Sequence, residues 1–158
     1  MKKIFLTIAT IGLLGTSVYA ADGGKKTTKA PEVSFTVQSE FDSTFSEAKD
    51  VSWTITSNVQ KATFTQDDVK MTAFYNLQGE YLGVTQDVAY STLDAKAQKQ
   101  IAAKYTDYKV GEVIKLTTAG DETNSDQTVY FVDLAGKSDE LLVRVTPSDD
   151  VYFFQNVK

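Results

Sequence analysis

Apolar residues open the chain in a block and then recur with two different periods. Residues 4–18 are almost wholly apolar or small, behind Lys2 and Lys3 and ahead of Val18-Tyr19-Ala20. A basic start, an apolar middle and small residues at the minus-three and minus-one positions read as a secretory signal peptide over residues 1–20. The run is shorter than the roughly twenty apolar residues an anchor needs, and the residues after it are polar. Cleavage after Ala20 is the expectation, against an uncleaved anchor as the alternative. Residues 21–32 carry no apolar period and read as a flexible linker closed by Pro31.

From residue 33 onward the pattern is helix, four strands, helix, four strands. Val37, Phe41 and Phe45 recur every four residues, which puts them on one face of a helix near residues 37–48, with Ser34 or Thr36 as its cap. Leu93, Ala97, Ile101 and Tyr105 repeat that spacing, and Ser91 with Asp94 fits a capping box. Between and after the helices the period drops to two. Val51, Trp53 and Ile55 share a face of one strand, as do Ala62 and Phe64 of the next. Residues 69–75 and 80–88 form a third and fourth strand around Asn76-Leu77-Gln78-Gly79. The second set covers residues 109–118, 128–134, 140–146 and 151–157, with Leu141, Val143 and Val145 on one face. Short strands joined by short turns predict an antiparallel meander.

The implied class is α+β, as tandem units of one helix and a four-stranded antiparallel sheet. Residues 69–85 overlay on 141–157 as strand, polar turn, strand, so residues 33–158 are expected to be one domain of two repeats, 33–90 and 91–158. Whether the two sheets join is left open by the pattern.

Composition removes most catalytic chemistry. The chain has 158 residues with neither histidine nor cysteine, which excludes Ser-His-Asp and Cys-His catalysis and the usual zinc, copper and iron ligands. Loss of Lys2 and Lys3 takes the formal charge from −5 to −7, against nucleic acid or a polybasic membrane patch. Asp67-Asp68 and Asp149-Asp150 fall in turns, where neighbouring carboxylates point apart, and such solvated acids should keep ordinary pKa values. Asp121, Glu122, Asn124 and Asp126 lack the spacing of an EF-hand. No metal site, cofactor or catalytic residue is expected.

The sequence resembles a known group of exported proteins. Val37, Phe41, Phe45, Ala48, Val51 and Trp53 look like the opening of the PepSY-like, beta-lactamase-inhibitor-like proteins of Bacteroidetes-type bacteria. Phe74-Tyr75-Asn76-Leu77-Gln78-Gly79-Glu80 resembles their strand–turn–strand segment, and residues 93–108 their second helix and its exit. Ser46, Asp94 and Thr106 stand where prolines are common in that group. The resemblance covers about residues 31–158. It implies a periplasmic or secreted BLIP-like fold and brings no inhibitory residue onto this chain.

The expected function is therefore a noncatalytic binding or inhibitor-like module acting on another protein. A structural or envelope-stress protein without a discrete site and a carboxylate-based hydrolase are the alternatives. Aromatic residues occupy both faces of several strands, more than one helix layer can cover. Phe74, Tyr130, Tyr152 and Phe154 are the candidate binding residues. Trp53, in an alternating run, is expected in the core.

Overall fold

The computed structural model describes residues 33–120 and 127–157. Helix α1 spans Phe35–Thr44, followed by strands β1 (Lys49–Ile55), β2 (Gln60–Gln66), β3 (Val69–Tyr75) and β4 (Tyr81–Val88). Helix α2 spans Ala95–Lys104, followed by β5 (Lys109–Thr118), β6 (Gln127–Ala135), β7 (Glu140–Val145) and β8 (Val151–Asn156). The expected signal peptide over residues 1–20, the expected linker over residues 21–32 and the acids at positions 121–126 lie outside the described residues.

All eight strands join one antiparallel sheet in chain order, from β1 at one edge to β8 at the other. The two halves share it through β4 and β5, which run in register from Gly83 opposite Thr118 to Val88 opposite Val113. Two separate sheets packed face to face are thereby excluded.

Both helices lie on the same sheet face. The first core gathers Val37, Phe41 and Phe45 onto Ala62, Phe64, Met71, Ala73, Tyr75 and Val84. The second gathers Leu93, Ala97 and Ile101 onto Val113, Val132, Leu134, Leu141, Val143, Val145 and Val151, with Val88 packed against it. Val84 and Val88, four residues apart on one strand, point the same way. They belong to different cores, so the cores sit side by side.

The helix ends follow local chemistry. Ser34 Oγ accepts the Val37 N–H at 3.3 Å and caps α1. Asp94 Oδ1 accepts the Lys96 N–H at 2.7 Å and caps α2. This corrects the Ser91–Asp94 capping box: Ser91 lies in a separate 3-10 turn, Tyr90–Thr92, and Asp94 does the capping itself. α1 also ends sooner than its periodicity predicts. It stops at Thr44, while Phe45 and Ala48 still bond back to Phe41 and Phe45. Tyr105 and Tyr108 close α2 in the same way, onto Ile101 and Tyr105.

β1 departs from simple alternation. Its pairing with β2 shifts between Lys49 and Ser52, and Asp50 takes φ 54°. An inserted residue reverses the facing of the residues before it. Val51 lies within this shift and is exposed, while Trp53 and Ile55 are half-buried. Trp53 is half-buried, with its ring edge-on to Phe41 at 5.3 Å.

Candidate functional site

The turn between β7 and β8 sets the geometry of the C-terminal edge. Thr146 N–H donates to Asp150 O at 3.0 Å, and Asp149 N–H donates to Thr146 O at 2.9 Å. Asp149 supplies the left-handed conformation at φ 61°. The corresponding turn of the first half has the same two bonds, from Asn76 to Glu80 and from Gly79 to Asn76, with Gly79 at φ 96°. α2 then grips the second turn. Gln100 Nε2 donates to Asp149 O, Gln100 Oε1 accepts Val151 N–H, and Lys96 Nζ donates to Ser148 O. Lys96 also pairs with Asp150 at 2.7 Å, and that contact raises the lysine's pKa.

β8 therefore leaves the turn in fixed register. Val151 is buried opposite Val145. Tyr152 pairs with Arg144, and an extra residue, Phe154, sits where the register shifts between Leu142 and Val143. Tyr152, Phe153 and Phe154 are 57%, 54% and 37% exposed. The Phe154 ring meets Phe131 edge-on at 5.0 Å. Phe131 neighbours Tyr130 and Val132 of the second core, so it points away from the helices, and Phe154 joins it there. Because Phe131 pairs with Arg144, Tyr152 also lies on that face.

The four sequence candidates do not form one patch. Tyr152 and Phe154 come together, with Phe131 as their neighbour. Phe74 is on the same face but on β3, between Lys61 and Gly83. Five strand spacings separate β3 from β8, roughly 24 Å. Tyr130 is on the opposite face, packed against the second core beneath α2. Phe153 is the exposed aromatic missing from that set. Alternation alone sends it to the covered face, and its exposure comes from the edge position of β8.

The face away from the helices changes character across the sheet. In the first half it carries hydroxyls: Thr63 and Thr72 meet at 3.3 Å, and Thr85 Oγ1 donates to Thr72 O. In the second half it carries Ile114, Leu116, Val129, Phe131 and Leu142, all buried.

One acid on this face departs from the ordinary pKa expected of the carboxylates. Asp133 lies mid-strand in β6, opposite Leu142, with one carboxylate oxygen buried and unpartnered. Burial, followed by the charges of Glu140 and Glu112, pushes its pKa up to about 6. Its side chain lies directly over Gly111, where any Cβ would collide with the carboxylate. The turn acids Asp67 and Asp68 are exposed, at φ 51° and 61°. Among the described residues no group of three acids could hold a metal ion, and no helix is long and apolar enough to cross a membrane.

Solved structures share this fold at low sequence identity. A DUF2874 family protein from Bacteroides uniformis superposes with a TM-score of 0.71 at 15% identity, covering 80% of this chain and 91% of that chain. A candidate periplasmic protein from Bacteroides eggerthii gives the same TM-score, identity and coverage. A BLIP-like protein from Bacteroides fragilis gives 0.67 at 14% identity, over 83% of this chain and 90% of that one. At these identities the likeness is one of fold. It agrees with the α+β architecture that the sequence resemblance implied. No family model matches the chain, and no curated protein matches it in sequence.

Proposed function

We propose that the protein is a noncatalytic binding or inhibitor-like module that works outside the cytoplasm. It engages another protein through the C-terminal edge of its sheet. The observation that carries this reading is β8 itself. Three consecutive aromatic residues stand exposed on an edge strand that has no charged residue from Val151 to Asn156. Tyrosine and phenylalanine held on a rigid strand supply contact area at little entropic cost, and aromatics are enriched at the centres of protein interfaces. An edge strand also offers unpaired backbone groups, so a partner can add a strand as well as pack on rings.

The wider picture is consistent with this. The signal sequence supports export to the periplasm or beyond, and the solved neighbours include one named as BLIP-like. The carboxylate hydrolase finds little support: Asp133 has a raised pKa, but its carboxylate is packed over Gly111 in the middle of a strand. The repeats 33–90 and 91–158 fit the two cores, the matched turns and the matched helix exits, and we read the chain as a duplicated unit.

Crosslinked capture from envelope extract tests the binding role. The intact edge should retain a partner that the Tyr152→Ser, Phe154→Ser double variant loses while melting at nearly the same temperature. Equal capture by both proteins would overturn the assignment to β8. Capture by neither would return the chain to the structural alternative.

A further inference from the structure

Among the described residues the sheet has two unpaired edges, and they differ in charge. β1 carries Lys49 and Asp50, an inserted residue that breaks its pairing, and a left-handed residue at Asp50. Charges and bulges are the devices that keep an edge from templating another strand. β8 also has an inserted residue, Phe154, but it has no charge and no proline, and its exposed side chains are aromatic. Among the described residues its outer backbone edge has one cap, the bond from Val151 N–H to Gln100 Oε1.

We propose that β8 pairs antiparallel with β8 of a second copy, joining two eight-stranded sheets about a twofold axis at Phe153. The proposal rests on the reading of β8 as a binding edge and names its occupant. Three features favour the second copy. First, antiparallel self-pairing sets each strand against its own reverse, and an uncharged strand meets no like charge there. Second, an axis at Phe153 sets Tyr152 opposite Phe154 of the second copy, and Phe154 opposite its Tyr152. Two aromatic cross-strand pairs then form on the face where Phe131 already supports Phe154. Third, pairing of β8 with β1 would be head-to-tail and would propagate into a fibre, and the charges of Lys49 and Asp50 on β1 oppose it. Pairing of β8 with β8 closes after two copies. One strand pair with its rings buries less than the roughly 1,200 Å² of a standard interface, so the dimer should be weak, with Kd on the order of 10–100 µM.

The natural chain has no cysteine, so one introduced thiol reports contact without background. Opposed residues in an antiparallel pair sit about 4.5–5.5 Å apart at Cα, within reach of a disulfide. Under mild oxidation of the full exported chain at about 100 µM, Phe153→Cys should form disulfide dimer at least roughly tenfold faster than Thr54→Cys on the β1 edge. Sedimentation of the unmodified chain over the same range should show a concentration-dependent dimer, which Phe153→Lys shifts to monomer without altering the thermal melt. A chain that stays monomeric, or a dimer in which Phe153→Cys links no faster than Thr54→Cys, overturns self-pairing. If the monomeric chain still captures a partner that the Tyr152→Ser, Phe154→Ser variant loses, the binding role of β8 stands without self-pairing.

Discussion

Gln100 on α2 holds both sides of Asp150: its Oε1 accepts Val151 N–H at 3.2 Å and its Nε2 donates to Asp149 O at 2.8 Å. One side chain thus satisfies two backbone groups of a turn about fifty residues away. It fixes where β8 begins and occupies the first outward N–H of the edge. Lys96, one helical turn earlier, holds Ser148 O from the same helix face.

Gln100→Ala should therefore cost about 1–2 kcal/mol, because it strands two peptide groups that are partly shielded from water. Denaturant melts read the loss. Amide hydrogen exchange reads the location, with Val151 exchanging faster while Val143 in the same sheet stays protected. Lys96→Ala should cost less, since the side chains of Lys96 and Asp150 are both open to solvent and exposed ion pairs contribute little.

Asp133 gives the pH dependence. Its pKa in the folded chain, about 6, stands above the ordinary value of 3.8. The folded state therefore binds the proton more tightly than the unfolded state. The ionised group opposes folding at neutral pH. That opposition fades as the pH falls through 6, and it is gone below about 4. Stability should rise on acidification from pH 7.5 to 5, and Asp133→Asn should raise it at pH 7.5 and flatten the profile. The gain should be on the order of 1–2 kcal/mol once partial solvent screening is allowed for.

The aromatic core separates two kinds of buried ring. Phe41 packs on Phe45, Trp53 and Phe64 with centroids 5.0–5.3 Å away. Phe41→Ala should cost about 3–5 kcal/mol in a denaturant melt. Tyr75 is equally buried, but its hydroxyl has no partner, and burial followed by the nearby charge of Glu40 drives its pKa upward. Tyr75→Phe removes only that unsatisfied oxygen. The variant should melt at or above the natural protein, within about 1 kcal/mol.

Most of this fold was legible because side-chain periodicity is imposed by the core. Val37, Phe41, Leu93, Ala97 and Ile101 announced both helix faces, and Leu141, Val143 and Val145 announced β7 as it stands. The features that escaped depend on inserted residues and on neighbours distant in sequence. Val51, within the shift of β1, is exposed, and Phe153, which alternation sends to the covered face, is exposed at the sheet edge. No local pattern marks either. The site was half legible for the same reason. Tyr152 and Phe154 were visible as aromatics on one strand, yet alternation cannot say that β8 is an edge, or that Tyr130 lies beneath a helix. Asp133 escaped because its neighbours Glu112 and Glu140 come from two other strands.

Gly83 is the joint between the halves. It pairs with Phe74 on β3 and with Thr118 on β5, at φ 143°, next to the residue inserted in β4. A Cβ there would lie 2.5 Å from Thr117 O and 2.9 Å from Thr118 Cα. Both obstacles are backbone, and moving either breaks the β4–β5 pairing, the one strand pairing among the described residues that carries one half into the other. Gly83→Ala should cost about 2–4 kcal/mol, more than Gly79→Ala, whose Cβ would meet only the Val37 side chain at 3.3 Å. The damage should be directional. Each half keeps its own helix and core, so the weakened seam should let them unfold in separate steps. Tryptophan fluorescence follows the first half through Trp53, and hydrogen exchange at Val132 and Val143 follows the second. Coincident transitions in the natural protein and separated ones in Gly83→Ala are expected. Coincident transitions in both would show that the two cores are coupled by more than the β4–β5 pairing.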